Sequence, residues 1–169
     1  MRLRALLLIP ALLVTSRPAL GQQLSAACGA PPNRSLDFWL GTWSTTNLRG
    51  QPGGESVIEL VAGKCAILER FGAPNGSFVG VGLHTFDPAN GFWTQYWTDN
   101  RGVTLEMKGT VDSSGVMYEW RAPQNGVMRL QRYKLEVGPN GTVLQTGYAT
   151  ADEGKTWTRT WQLTYRRAR

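Results

Sequence analysis

Few residues in this 169-residue chain could do chemistry, and their spacing decides what each could do. Trp93, Gln95 and Trp97 alternate, so a strand would place one carboxamide between two indoles on a single face, with Asp99 following. A glutamine amide on a buried face needs hydrogen-bond partners for both of its ends. It would therefore either touch a ligand inside an aromatic-walled cavity or be tied to the backbone of a neighbouring strand. His84, the one histidine, shares a face with Phe78, Gly80, Gly82 and Phe86. It could ligate a haem iron or serve as a hydrogen-bonded core residue. Glu69 and Glu106 stand in apolar runs, and two carboxylates facing one cavity would permit acid/base catalysis. Set across strands from bases such as Arg129 and Arg159, they would be exposed ion pairs instead. No Gly-x-Ser-x-Gly elbow is present, and no nucleophile with its base can be assembled, so no catalytic residue is assigned.

Cys28 and Cys65 are the only thiols, and one histidine beside them fits no zinc pattern, so no metal site is expected. The first 21 residues bear on their redox state. Arg2 and Arg4 precede an apolar run from Ala5 to Val14, and Ala19-Leu20-Gly21 offers the small residues read by a signal peptidase. That run is about ten residues, short of the roughly 20 that span a bilayer. The pattern predicts a secretory signal cleaved near Gly21 and a secreted or periplasmic protein with no membrane span. In an oxidising compartment one pairing, Cys28 with Cys65, is open to the two cysteines. The rival is a lipoprotein acylated at Cys28 after Ser25-Ala26-Ala27. Cleavage removes Arg2, Arg4 and Arg17, lowering the formal net charge from +6 to +3. The remaining bases are scattered along the chain, which is a solvated surface rather than a nucleic-acid footprint.

The elements that must position these residues are short runs punctuated by turn signals. The runs span 40–47, 55–62, 64–71, 77–86, 91–99, 102–111, 115–122, 126–137, 141–149 and 155–166, with links such as Pro74-Asn75-Gly76, Gln124-Asn125-Gly126 and Pro139-Asn140-Gly141. Asn-Gly supplies the positive φ angles that tight hairpins require. Period-two alternation marks the runs as strands with one buried face: Val103, Leu105, Met107, Gly109 and Val111 share one side, and Trp157, Arg159, Trp161, Leu163 and Tyr165 another. The fold expected is all-β, an antiparallel meander of about ten strands closed into a lipocalin-like barrel, because closure removes the two edges. Gly80, Gly82 and Gly109 mark bends or interior room. Ahead of the barrel, Ser35 can cap a single helical turn over Leu36 to Leu40 that Gly41 ends. The domains expected are a signal at 1–21, an arm at 22–35 and one barrel at 36–169.

Gly41-Thr42-Trp43 on the first strand with Arg166 on the last resembles the closed end of lipocalin-like barrels, where a guanidinium packs on the indole. Leu36-Asp37-Phe38-Trp39-Leu40-Gly41-Thr42-Trp43, Gly63-Lys64-Cys65-Ala66-Ile67-Leu68-Glu69, Asp87-Pro88-x-x-Gly91-x-Trp93-x-Gln95-x-Trp97-x-Asp99, and Asp152-Glu153-Gly154-Lys155-Thr156-Trp157 before Tyr165-Arg166 occur in that order. Together they resemble the secreted bacterial family called domain of unknown function 1579, over about residues 28 to 167. The resemblance implies an envelope or secreted protein and brings no substrate. Lys64 stands where members usually carry a second Gly. Thr150-Ala151-Asp152-Glu153-Gly154-Lys155-Thr156-Trp157 also resembles the Asp-box hairpin of sialidase propellers. In one copy it can only be a structural turn, held by Asp152, Gly154 and Trp157.

The function expected from these features is binding of a small, largely apolar molecule inside the barrel, with Trp93, Gln95, Trp97, His84 and Glu69 as contacts. No cofactor is assigned beyond the haem that His84 raises. Two alternatives stand beside it: an enzyme using a cavity carboxylate or His84 as acid/base, and a barrel filled by its own tryptophans that serves structure or protein interaction. Oligomeric state is not encoded in any of these patterns.

Overall fold

The computed structural model describes residues 28–168. The segment at 1–21 expected to be a signal, and the first part of the arm, lie outside the described residues. Ten antiparallel strands follow in order: β1 (Gly41–Asn47), β2 (Pro52–Val61), β3 (Ala66–Gly72), β4 (Val79–Asp87), β5 (Phe92–Asp99), β6 (Thr104–Val111), β7 (Gly115–Gln124), β8 (Val127–Val137), β9 (Val143–Ala149) and β10 (Thr158–Arg167). Each pairs with its sequence neighbour, and β1 pairs with β10 to close the barrel. The turn residues do what their chemistry allows: Asn125 and Gly126 take φ of 52° and 77° in the β7–β8 hairpin. Closure leaves every strand with two partners, so no edge is offered to another chain.

Alternation sets which residues face inward. On β5 the inward side carries Trp93, Gln95, Trp97 and Asp99, while Tyr96 is exposed. The inward glycines make room for rings rather than for solvent. A Cβ on Gly80 would lie 2.1 Å from the Trp97 indole, one on Gly109 2.7 Å from the Tyr118 ring, and one on Gly147 2.1 Å from Trp161. Three aromatic side chains thus lie flat against the backbone of the neighbouring strand, and any larger residue would collide with them.

Two local expectations are corrected. The pairing of β10 shifts between Arg159 and Trp161: Arg159 opposes Tyr148, and Trp161 opposes Gly147. This bulge puts one extra residue in β10, so Arg159 leaves the face it was expected to share with Trp161, Leu163 and Tyr165. The helical turn is a 3-10 turn over Asp37–Trp39, and Ser35 does not cap it. The Ser35 hydroxyl donates to the carbonyl of Pro32 at 2.7 Å instead, because the preceding residues already form a turn within its reach.

The core follows from the same geometry. Leu36 and Trp39, carried by the 3-10 turn, join Trp43, Ile58, Ile67, Trp93, Val116 and Leu135 in a buried cluster at one end of the barrel. Burial of each large apolar side chain contributes roughly 1.5–3 kcal/mol. The Cys28–Cys65 disulfide ties the start of this plug to the link between β2 and β3, across 37 residues. The sulfur of Cys28 is therefore in a disulfide rather than open to acylation. Among the described residues no helix is long and apolar enough to cross a membrane.

Candidate functional site

The closed end explains the Gly-x-Trp pattern. Trp43 is buried, its Nε1–H donates to the backbone carbonyl of Trp39 at 2.6 Å, and its ring edge meets Tyr165. The guanidinium over its indole belongs to Arg167, at 4.0 Å from the ring centroid. Arg166, the expected partner, points outward to the Thr46 hydroxyl at 3.3 Å. Register decides this, since Arg167 is the residue opposite Trp43. Gly41 supplies the space: at φ 122°, a Cβ there would sit 2.0 Å from the guanidinium. Motif and cation are one packing unit, closing the bottom of the barrel.

The other half of the barrel is open. A cavity of about 330 Å³ runs inward from a mouth where the Trp161 ring is 37% exposed and the Arg101 guanidinium packs over Phe78 at 4.6 Å. Its volume lies toward the small end of the ~300–1,000 Å³ typical of ligand sites. The walls are apolar and aromatic, formed by Trp97, Trp120, Trp161, Leu105, Met107 and Leu163. The barrel is accordingly not filled by its own tryptophans. Trp39, Trp43 and Trp93 plug the closed end, while Trp97, Trp120 and Trp161 line the opening.

The cavity floor is polar. Glu69, Gln95, Gln145, Tyr133 and Tyr165 face it from β3, β5, β9, β8 and β10. The Tyr133 hydroxyl donates to Oε1 of Gln95, and that of Tyr165 donates to Oε1 of Gln145 at 2.8 Å. Ser56 Oγ donates to Oε1 of Glu69 at 3.0 Å, and the Tyr165 oxygen lies 3.5 Å from that same atom. Burial pushes the hydroxyls of Tyr118, Tyr133 and Tyr165 well above the ordinary tyrosine value, and the Glu69 carboxylate adds to the effect. All three therefore stay protonated and act as donors.

His84 is buried beneath this floor and does not line the cavity. Its ring packs edge-on against Trp39 at 5.3 Å, and its Nδ1 lies 2.9 Å from the Tyr118 hydroxyl. The other ring nitrogen is Nε2. That atom has no hydrogen-bond partner and faces Oε2 of Glu69 at 3.9 Å. Both nitrogens are turned into protein, which does not fit an axial ligand to haem. Among the described residues no group of three His, Cys, Asp or Glu side chains gathers to hold a metal.

The structure thus brings together Glu69, Gln95 and Trp97 of the expected contacts. Trp93 shares their strand face but is spent on the plug, its ring against Phe86. Glu106 is on the outer face, paired with Lys108 at 2.7 Å, so Glu69 and Glu106 share no cavity. Gln95 is tied to Tyr133 across the barrel rather than to a strand backbone. The Asp-box residues form an outer turn: Asp152 accepts from the Thr156 backbone N–H at 2.8 Å, Gly154 takes φ 88°, and Trp157 lies under the Arg132 guanidinium at 3.9 Å. Sequence reasoning missed Tyr133, Gln145 and Tyr165 of the floor and Trp120, Trp161, Leu105, Met107 and Leu163 of the walls, although alternation sets Tyr165 on one strand face with Trp161 and Leu163. No protein-family model and no curated protein matches the chain.

Proposed function

We propose that this protein is an exported binder that holds a small, largely apolar molecule in the open half of its barrel. One observation carries the proposal: an aromatic-walled cavity of about 330 Å³ stands open above a polar floor, while three tryptophans seal the opposite end. The leader pattern at 1–21 and the Cys28–Cys65 bond support export to an oxidising compartment. The order of motifs, with a closed meander beneath them, supports membership of the family called domain of unknown function 1579.

Trp97, Trp120 and Trp161 report on occupancy, because a ligand in the cavity touches all three walls. A panel of small aromatic amides, isoprenoids, fatty acids and haem should contain a member that quenches tryptophan fluorescence saturably, with Kd in the micromolar range, about −8 kcal/mol. Absence of saturable quenching across the panel would remove the binding function. Gln95→Leu should change the ranking of ligands and also lower the melting temperature, since Tyr133 loses its acceptor, at a cost of ~1–3 kcal/mol.

A further inference from the structure

The cavity floor carries more polar chemistry than an apolar ligand needs. The tyrosine donors fix the orientation of both glutamine amides. Tyr133 occupies the carbonyl of Gln95 and Tyr165 that of Gln145, so the N–H2 end of each amide is left to donate elsewhere. The Gln145 amide also reaches the Tyr133 oxygen, whereas no hydrogen bond is formed by Gln95 Nε2 among the described residues, and both glutamines line the cavity. Glu69 stands beside them, with the Tyr165 hydroxyl between it and Gln145. One of its oxygens accepts from Ser56, and the other is beyond hydrogen-bond distance of His84. Gln95, Gln145 and Glu69 are 2%, 8% and 2% exposed, so what polar surface they keep is turned to the cavity.

We propose that the ligand bears an uncharged polar head with a donor and an acceptor side by side, a carboxamide or a lactam, inserted head-first beneath its apolar body. The proposal rests on the binding function above. An N–H of such a head donates to Glu69 while its C=O accepts from the Gln95 amide. A carboxylate head would suit the Gln95 amide but meet Glu69 charge to charge. An ammonium head would suit Glu69 but face the Gln95 N–H2, a group of its own polarity. A hydrocarbon end would offer nothing to the second oxygen of Glu69 or to the N–H2 of Gln95. Discrimination here is a matter of which buried groups stay unsatisfied.

Four probes on one body test this: 3-phenylpropanamide, 3-phenylpropanoate, 3-phenylpropylamine and propylbenzene, titrated into the wild-type protein by tryptophan quenching or calorimetry. The amide should bind more tightly than each of the others by about tenfold or more, the ratio expected for one unpaired hydrogen-bonding group. Glu69→Gln should then raise the affinity for 3-phenylpropanoate by a similar factor, because the opposing charge is gone while Ser56 keeps an acceptor. Equal affinities, or the amine or the acid ranking first in wild type, would overturn the head-group assignment and leave the binding function standing. No saturable binding of any probe or of the wider panel would overturn both. The wild-type ranking decides even if the variant fails to fold.

Discussion

Asp152 and Asp99 are single side chains whose hydrogen bonds tie stability to pH. Asp152 accepts from both the backbone N–H and the hydroxyl of Thr156, and these bonds hold its carboxyl down at about 2. The Arg101 guanidinium does the same for Asp99, also at about 2. Both folded values lie below the ordinary 3.8, so each group contributes stability above pH 3.8 that is lost as pH falls toward 2. Asp152→Asn should therefore melt below wild type at pH 7, with the gap closing between pH 4 and pH 2; a gap independent of pH would refute the assignment. Alkaline titration probes the floor in the opposite direction. Tyr118, Tyr133 and Tyr165 resist ionisation when folded, so the unfolded chain gains on the native state as pH rises above 10. Phenolate absorbance should show at least three of the five tyrosines silent until the fold is lost. At the closed end, Trp43→Ala should cost ~3–5 kcal/mol. Arg167→Ala should lower the melting temperature more than Arg166→Ala, because only Arg167 covers the indole.

At the scale of elements, the strands owe their aromatic walls to glycine on the neighbouring strand. Gly147→Ala would drive a methyl into Trp161, and overpacking of this kind costs typically ~1–3 kcal/mol. The expected outcome is a lowered melting temperature together with a changed response of Trp161 fluorescence to ligand; an unchanged Tm would show that the ring moves freely. Strands were legible because Asn-Gly turns and period-two patterns are local. Ten runs gave ten strands, and the face carrying Trp93, Gln95 and Trp97 points inward as expected. The bulge in β10 was not legible, since nothing near Thr160 announces an extra residue, and so Arg159 was misplaced. Trp39 was missed as a plug residue because it lies in a stretch too short to show a period. Alternation says which side chains share a face of one strand, but not which strands put residues at the same height. The meeting of Glu69 with Gln145 and Tyr165 depends on closure between β1 and β10 and on the tilt that closure imposes.

For the molecule as a whole, every strand but two is paired only with its immediate neighbours in sequence. The exception is the seam, where Thr46 meets Arg166 across 120 residues. Nine hairpins can form from local contacts, each closing a short loop. The seam must bring together the two ends of the sheet, and the entropy of closing a loop grows as about (3/2)RT ln n. That cost predicts that the seam closes late in the folding reaction, after the hairpins have formed. Substitutions there should fall mainly on the unfolding limb. Arg167→Ala should speed unfolding in denaturant jumps while leaving the refolding rate nearly unchanged, and a slowed refolding limb would place the seam in the nucleus instead. The guanidinium that stops the bottom of the barrel is then also a clasp on its clock, setting how long the closed form lasts rather than how fast it is made.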